Sequence, residues 1–384
     1  MQQMTDLSLA APSLGRPVAE APAPPAVLHH PVGFTGQAGE YFRIWIVNIA
    51  LTLVTFGLYM PWARIRTKQY FYGHTWVDGQ NFEYRANPWA LLRGYLLIGG
   101  LSLLASLAFQ SPDPTYLMLG ILLMLVYLGF YPWLVRQSLR FQAVNTVHRG
   151  LNFSFHGSVG QAYVAYGAAN LAASLVSFAL PWAWFMQRRY QLDHLAYGTA
   201  RAQFRGDVAP FYLIAVTGLA LVLGSAAVMF GLWLAFFGGS ALLELFSAKE
   251  QSEAAVMATV LMLLVPALVT YVVVLLVYSV AWQYVRAAIM AYVLNHTELG
   301  GVVRTGASFS PWRVVWIGVT NSLAQLLTLG LATPWAAIRR TRYIMGGLQV
   351  RSLVPLDTFT GQASHGESAL GEAASELLDI QVGF

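Results

Sequence analysis

Three asparagines, Asn48, Asn170 and Asn321, each stand early in an apolar stretch that reaches Pro-Trp and runs on into arginines. The phrases read NIALTLVTFGLYMPWARIR, NLAASLVSFALPWAWFMQRR and NSLAQLLTLGLATPWAAIRR. A carboxamide both donates and accepts hydrogen bonds. In an apolar layer it can clamp two helices, for about 1 kcal/mol, or line a polar path. We favour the clamp, with Thr55, Ser177 and Thr328 as local partners. Pro61, Pro181 and Pro334 read as helix stops, since proline lacks an amide donor and crowds the preceding turn. Trp62, Trp182 and Trp335 read as anchors at headgroup level. The residues Arg64, Arg66, Lys68, Arg188, Arg189, Arg339, Arg340 and Arg342 follow. They read as a basic face in contact with lipid headgroups.

Reaction chemistry is hard to find. There is no nucleophile elbow, Walker loop, dinucleotide fingerprint or pair of catalytic carboxylates. His74, His194 and His296 precede segments of strand character, with Asn145 in the comparable place of another. None forms a close ligand pair, so hydrogen-bonded structure is the expectation rather than a metal site. Glu40 and Arg43 read as a structural ion pair. The chain has no cysteine, so disulfides and thiolate chemistry are excluded. No catalytic residue, cofactor or metal is expected, and the chain reads as non-enzymatic. The apolar cores hold no ionisable residue, which disfavours ion- and proton-coupled transport.

These residues sit in a chain of 384 residues that is 57% hydrophobic and only 10% charged, against roughly 25% charged in soluble proteins. Seven stretches lack Asp, Glu, Lys, Arg and His over a length sufficient to cross a bilayer, about 20 residues: Ile44–Ala63, Gly94–Pro112, Pro114–Val135, Gly157–Gln187, Val208–Leu243, Ala254–Val285 and Val314–Ile338. They mark apolar segments near 41–61, 90–110, 115–135, 160–181, 209–237, 255–285 and 312–333. The expected fold is mainly α, a polytopic membrane protein with internal repeats and short β-hairpins between apolar helices. The hairpins could gather into a small cytoplasmic sheet. HTWVDGQNFEYR is the strongest hairpin, turning at Asp78-Gly79. Val147–Gly157, His194–Gly206, Glu298–Ser310 and Gly346–Val354 are looser versions. VGFTGQAGEYF reads as the second half of such a unit without its start. Residues 1–31 form a Pro/Ala-rich tail and 356–384 an acidic one, both expected to be disordered. Between them lies a repeat-built membrane domain, 32–355. No cleavable signal peptide is expected.

The order of stretches is single, pair, single, pair, single. If all seven cross, consecutive Pro-Trp phrases face opposite sides, and their basic ends violate the positive-inside bias. If only the pairs cross, the single elements re-enter on one side, and every basic segment, hairpin and terminus lies in the cytoplasm. We favour this second arrangement. The breaks are then expected at the Asn, the Gly and the Pro.

The segments FTGQAGEYFRIWIVN, TFGLYMPWARIRTKQYF and TLGLATPWAAIRRTRYI resemble the YjgN family of bacterial inner-membrane proteins, a domain of unknown function. The resemblance covers roughly Val32 to Val354. The middle copy departs from it, with Ala179 where Gly57 and Gly330 stand. The resemblance implies a multi-pass protein of the bacterial inner membrane and supplies no catalytic residues. The expectation is an oligomeric channel or a lipid or solute conduit, with membrane lipids as contacts and no nucleic-acid partner. The alternative is a scaffold that docks a membrane or envelope protein through its basic hairpins.

Overall fold

The computed structural model describes residues 27–247 and 253–358. The link expected near Gly238–Glu253 lies in part outside them. Two three-residue strands come first, β1 (Leu28–His30) and β2 (Val32–Phe34), divided by Pro31. Helices α1 (Ala38–Val54) and α2 (Met60–Gly73) follow, then β3 (Thr75–Val77) and β4 (Gln80–Tyr84). The first long pair is α3 (Pro88–Gln110) and α4 (Pro114–Asn145), leading into β5 (Thr146–His148) and β6 (Leu151–Phe155). Next come α5 (Val159–Ala162), a π-helical stretch (Tyr163–Ala168), α6 (Ala169–Leu175), a 3-10 turn (Ser177–Ala179) and α7 (Leu180–Asp193). Strands β7 (Leu195–Tyr197) and β8 (Ala200–Phe204) precede the second long pair, α8 (Ala209–Ser247) and α9 (Glu253–Asn295). The chain then runs through β9 (Thr297–Leu299), β10 (Val303–Ala307), α10 (Pro311–Leu327), α11 (Thr333–Gly346) and β11 (Leu348–Ser352).

The hairpin turns follow from residue chemistry. Asp78-Gly79 (φ 53° and 76°) and Arg149-Gly150 (φ 52° and 75°) are both left-handed at both central positions, as a tight hairpin requires. The eleven strands of the described residues join one sheet in the order β1-β11-β10-β9-β8-β7-β6-β5-β4-β3-β2. Its two outer strands, β1 and β2, are consecutive in the chain, so the sheet runs round into a ring. Pro31 allows the switch: it has no N–H for a ladder, while its carbonyl accepts from Asp78 N at 2.8 Å. Closure leaves no long free edge to aggregate. Inside the ring, Val77, Val303 and Leu356 are buried against Val32, Phe82, Leu299 and Val350.

Gly346–Val354 was expected to form a hairpin but supplies a single strand, β11. On one side it pairs with β10, and on the other with β1, in the register Leu28↔Ser352 and His30↔Val350. His30 Nε2 lies 2.7 Å from Ser352 Oγ in a buried contact. The N-terminal half-unit and the C-terminal half-unit thus complete each other. Leu28–His30 is a strand of the sheet, and Leu356 is buried inside the ring.

Above the ring stands a layer of helices. By length and composition, α3, α4, Ala209–Ala235 within α8 and Pro266–Asn295 within α9 could cross a membrane. The other apolar stretches fold back on themselves: α1 packs on α2, α6 on α7 and α10 on α11. Around the layer, α2 packs on α3, α4 on the π-helical stretch, α7 on α8, α9 on α10, and α11 returns to α1. Tyrosines tie helix to sheet. Tyr70 Oη accepts from Gln37 N at 2.8 Å, and Tyr190 Oη donates to Ser158 O at 3.1 Å. Tyr292 Oη accepts from Asp207 N at 2.7 Å, and Tyr343 Oη from Ser310 N at 3.2 Å. Gly157 must be glycine here, because a Cβ would stand 2.6 Å from both the Phe155 ring and the Tyr190 hydroxyl.

Candidate functional site

The outer two asparagines make the same bond. Asn48 Nδ2 donates to Ala63 O at 3.1 Å, and Asn321 Nδ2 to Ala336 O at 2.9 Å, each tying the two arms of its own helical hairpin. Their oxygens differ. Asn321 Oδ1 accepts from Arg339 Nη1 at 3.0 Å, and that nitrogen also donates to Thr320 Oγ1 at 2.7 Å. Asn48 Oδ1 is buried with no partner among the described residues, while Arg66, which follows Pro61 at the interval of Arg339 from Pro334, donates to Tyr59 Oη at 3.0 Å. Asn170 departs from both, its Oδ1 accepting from Gln187 Nε2 at 2.8 Å.

Thr55 and Thr328 are not the partners of these asparagines, contrary to expectation. Thr55 Oγ1 donates to Leu51 O at 2.7 Å and accepts from Tyr59 N at 3.0 Å. Thr328 Oγ1 likewise donates to Ala324 O at 2.7 Å and accepts from Ala332 N at 2.9 Å. Both threonines staple the bend between two helices, because a hydroxyl one turn from the helix end reaches the nearest backbone groups first. Ser177 opens the 3-10 turn of the middle element and is exposed.

The bends are not at the Asn or the Pro. They turn at Phe56-Gly57 (φ 50° and 89°) and Leu329-Gly330 (φ 51° and 90°). Gly57 N bonds Thr52 O and Gly330 N bonds Gln325 O, both at 2.7 Å, which closes the helix ends. The middle element instead breaks at extended Val176 (φ −133°), so Ala179 needs no left-handed backbone. Pro61, Pro181 and Pro334 open α2, α7 and α11 rather than stopping the preceding helices. A proline in the first helical turn loses no bond there, since that amide has no intrahelical acceptor. The tips between the arms are apolar and bare: Phe56 is 97% exposed, Leu329 94% and Phe178 74%. Trp62 stacks near Tyr59 and meets Trp89 edge-on at 4.9 Å; Trp182 is half-buried and Trp335 exposed.

Most of the basic residues read as headgroup contacts are held by protein groups instead. Arg188 donates to Gln191 Oε1 at 2.9 Å, and burial pushes its guanidinium pKa below the ordinary value. Arg189 pairs with Asp193 at 3.3 Å, Lys68 lies over the Tyr84 ring at 5.1 Å, and Arg342 donates to Gly36 O at 2.9 Å. Arg64, Arg66, Arg189, Arg340 and Arg342 all keep exposed surface. Glu40 sits by Tyr70 Oη at 3.2 Å and His74 Nε2 at 3.7 Å, not in the expected pair with Arg43. His74, His194 and His296 each place Nδ1 on the carbonyl of the tyrosine four residues earlier, at 2.7, 2.9 and 2.8 Å. Asn145 does the same with Phe141 O at 2.9 Å. Among the described residues no cluster of three potential metal ligands occurs. In the strand ring, burial and then the charge of Arg149 lower the pKa of His148; on α7, burial pushes the Tyr190 hydroxyl up to about 12.

What the arrangement does assemble is a cavity of about 770 Å³ where α1, α10 and α11 meet, with Arg313, Arg339 and Arg342 in its wall. The first residues of α1, Ala38 and Gly39, line it too, and the α1 N-terminus has no side-chain cap. Arg313 escaped the sequence reading. It follows a further Pro-Trp, Pro311-Trp312, which begins α10 rather than a second arm.

A family model described as "Bacterial protein of unknown function (DUF898)" matches residues 29–377. Inner membrane protein YjgN of Salmonella typhimurium is 31% identical over 135 residues, 35% of this chain and 33% of that protein. Inner membrane protein YjgN of Escherichia coli K12 is 33% identical over 134 residues, 34% of this chain and 32% of that protein. The matched segment thus spans about a third of these relatives' length. No solved structure matches the chain.

Proposed function

This chain belongs to the bacterial DUF898 family, and we propose that it is a non-enzymatic, multi-pass protein of the bacterial inner membrane that forms a conduit for lipid or solute. Its relatives carry the name inner membrane protein, and four helices have the length and composition to cross. In this reading α3–α4 and α8–α9 span, while the three Pro-Trp elements are repeats of one unit that re-enter from a single side. The sheet ring and both termini then lie in the cytoplasm. The link Ser111–Asp113, free of Lys and Arg, faces the opposite side, in keeping with the charge bias.

The observation that carries the proposal is the set of bare apolar tips at Phe56, Phe178 and Leu329. Water would not leave them uncovered, so they enter the bilayer. Yet each tip is also a helix break, and broken backbone at membrane depth is tolerated only where it packs on protein or lines a wet cavity. Packing between copies in a homo-oligomer and a wet path along the arms both meet that demand. Val77, Val303 and Leu356 fill the strand ring, so the route runs through the helical layer and not down the axis of the sheet.

Purified protein reconstituted in liposomes tests this. Accelerated movement of a labelled phospholipid between leaflets, or release of an entrapped small solute, is the expected result. Neither occurring, with the protein inserted and folded, refutes the conduit. Stoichiometric co-purification of a second membrane protein without flux would establish the scaffold role in its place.

A further inference from the structure

The cavity at the meeting of α1, α10 and α11 is polar at one end and apolar at the other. α11 runs from its tip at Thr333 toward the sheet, so Trp335 and Ile338 stand tipward while Arg342 lies at the base. The seven helical steps from Trp335 to Arg342 cover about 10 Å of helix axis. α10 runs the opposite way, which puts Arg313 at the base and Ile317 a turn nearer the tip. The base therefore gathers Arg313, Arg342 and the uncapped first turn of α1, with Arg339 about one turn above. The volume of about 770 Å³ falls within the range of small-molecule sites.

Among the described residues no carboxylate pairs with the charges in this wall. The Arg313 side chain has no hydrogen-bond or ion-pair partner among the described residues. Arg339 is held by Thr320 and Asn321 and lies over the Trp335 ring at 5.1 Å, while Arg342 is fixed by the Gly36 carbonyl. All three hold neutral acceptors or none. Glu40, next to the lining residue Gly39, directs its carboxylate to Tyr70 and His74 instead. Two pre-positioned guanidinium groups, one unpaired guanidinium and a helix N-terminus suit an anion with several oxygens.

We propose that this cavity binds a phosphate-ester anion, with the phosphate between Arg313, Arg342 and the start of α1. The tipward wall of Ile317, Ile338 and Trp335 gives an attached hydrocarbon chain an exit toward the bilayer. The ligand class is accordingly an anionic phospholipid headgroup or a free phosphate ester. The inference names the ligand of the conduit and rests on that reading for its membrane setting, but binding is measured without transport.

Full-length protein in a neutral detergent is titrated with phosphatidylglycerol or phosphatidylcholine and bound lipid is counted by native mass spectrometry. Inorganic phosphate and glycerol phosphate are titrated separately by calorimetry. Phosphatidylglycerol is expected to bind in preference to phosphatidylcholine. Arg313→Gln should weaken it about tenfold, the scale of one charge-assisted contact, and Arg313→Lys should recover part of the loss. Arg313→Gln breaks no internal bond, so its melting temperature should equal that of the parent. Binding of glycerol phosphate as tight as that of the lipid assigns the site to free phosphate esters. Equal binding of both lipids together with no phosphate binding overturns the site, as does an Arg313→Gln variant that binds like the parent. A protein that binds phosphatidylglycerol but moves nothing in liposomes loses the conduit and keeps the site.

Discussion

Replacing each outer asparagine by leucine should expose an asymmetry between two hairpins that otherwise match. Asn321→Leu removes the bond to Ala336 O at 2.9 Å and the bond from the Arg339 guanidinium at 3.0 Å. A neutral bond contributes about 1 kcal/mol and one to a charged group about 1.5–3 kcal/mol. Interhelical bonds in membrane proteins fall at the lower end, so a total of about 2–3 kcal/mol is expected. Asn48→Leu removes only the bond to Ala63 O and also relieves the buried, unpartnered Oδ1. An unsatisfied buried acceptor costs about 1–3 kcal/mol, which offsets the lost bond and leaves a change near zero. At roughly 2 °C or less per kcal/mol for a chain this long, Asn321→Leu should lower the apparent melting temperature by about 4 °C. Asn48→Leu should stay within about 1 °C of the parent. Thermal unfolding of both variants in one detergent at one protein concentration measures this. Equal losses, or a larger loss for Asn48→Leu, would refute the reasoning, because the clamps would then not differ through the Arg339 contact.

Gly57→Ala and Gly330→Ala each place a Cβ at a left-handed backbone (φ 89° and 90°) and should each cost about 1–2 kcal/mol in thermal unfolding; Ala179→Gly, at an ordinary backbone, should gain nothing. His148 is held neutral by burial, its pKa lowered from 6.5. The unfolded chain therefore binds the proton first, and stability conferred at neutral pH is lost as pH falls below 6.5. Melting curves at about pH 7.5 and about pH 5.5 should show a smaller acid-induced drop in His148→Gln than in the parent. Removing residues 27–31 should open the strand ring between β11 and β2, and the loss should appear as proteolysis near Ser352, a residue now 1% exposed.

How much could be read in advance depended on the range of the interaction. Asp78-Gly79 sits between alternating residues, so its hairpin was legible from a dozen residues. The half-unit beginning at Val32 was legible as incomplete, but the strand just before it, Leu28–His30, pairs more than 300 residues away with Val350–Ser352, and no local pattern carries that pairing. The departure of Ala179 from Gly57 and Gly330 was visible and proved to mark a different bend. The prolines were misplaced by one helix, because a residue without an amide donor fits the first turn of the next helix as well as the end of the last. Thr55 and Thr328 were assigned to the asparagines when the backbone one turn away was the nearer partner. The arginine cavity draws on α1, α10 and α11 at once, so only the folded chain brings Arg313 to Arg342.

The central claim is that the Pro-Trp elements enter and leave the membrane on one side. The chain has no cysteine, so single cysteines report position without background. Gln80→Cys, exposed at the start of β4, and Thr199→Cys, on an exposed hairpin turn, lie before and after the middle element, and Pro112→Cys lies in the exposed link between α3 and α4. In oriented membrane vesicles, an impermeant maleimide should label positions 80 and 199 from the cytoplasmic face alone and position 112 from the opposite face alone. Labelling of 80 and 199 from opposite faces would mean that the middle element crosses, and the account would be wrong.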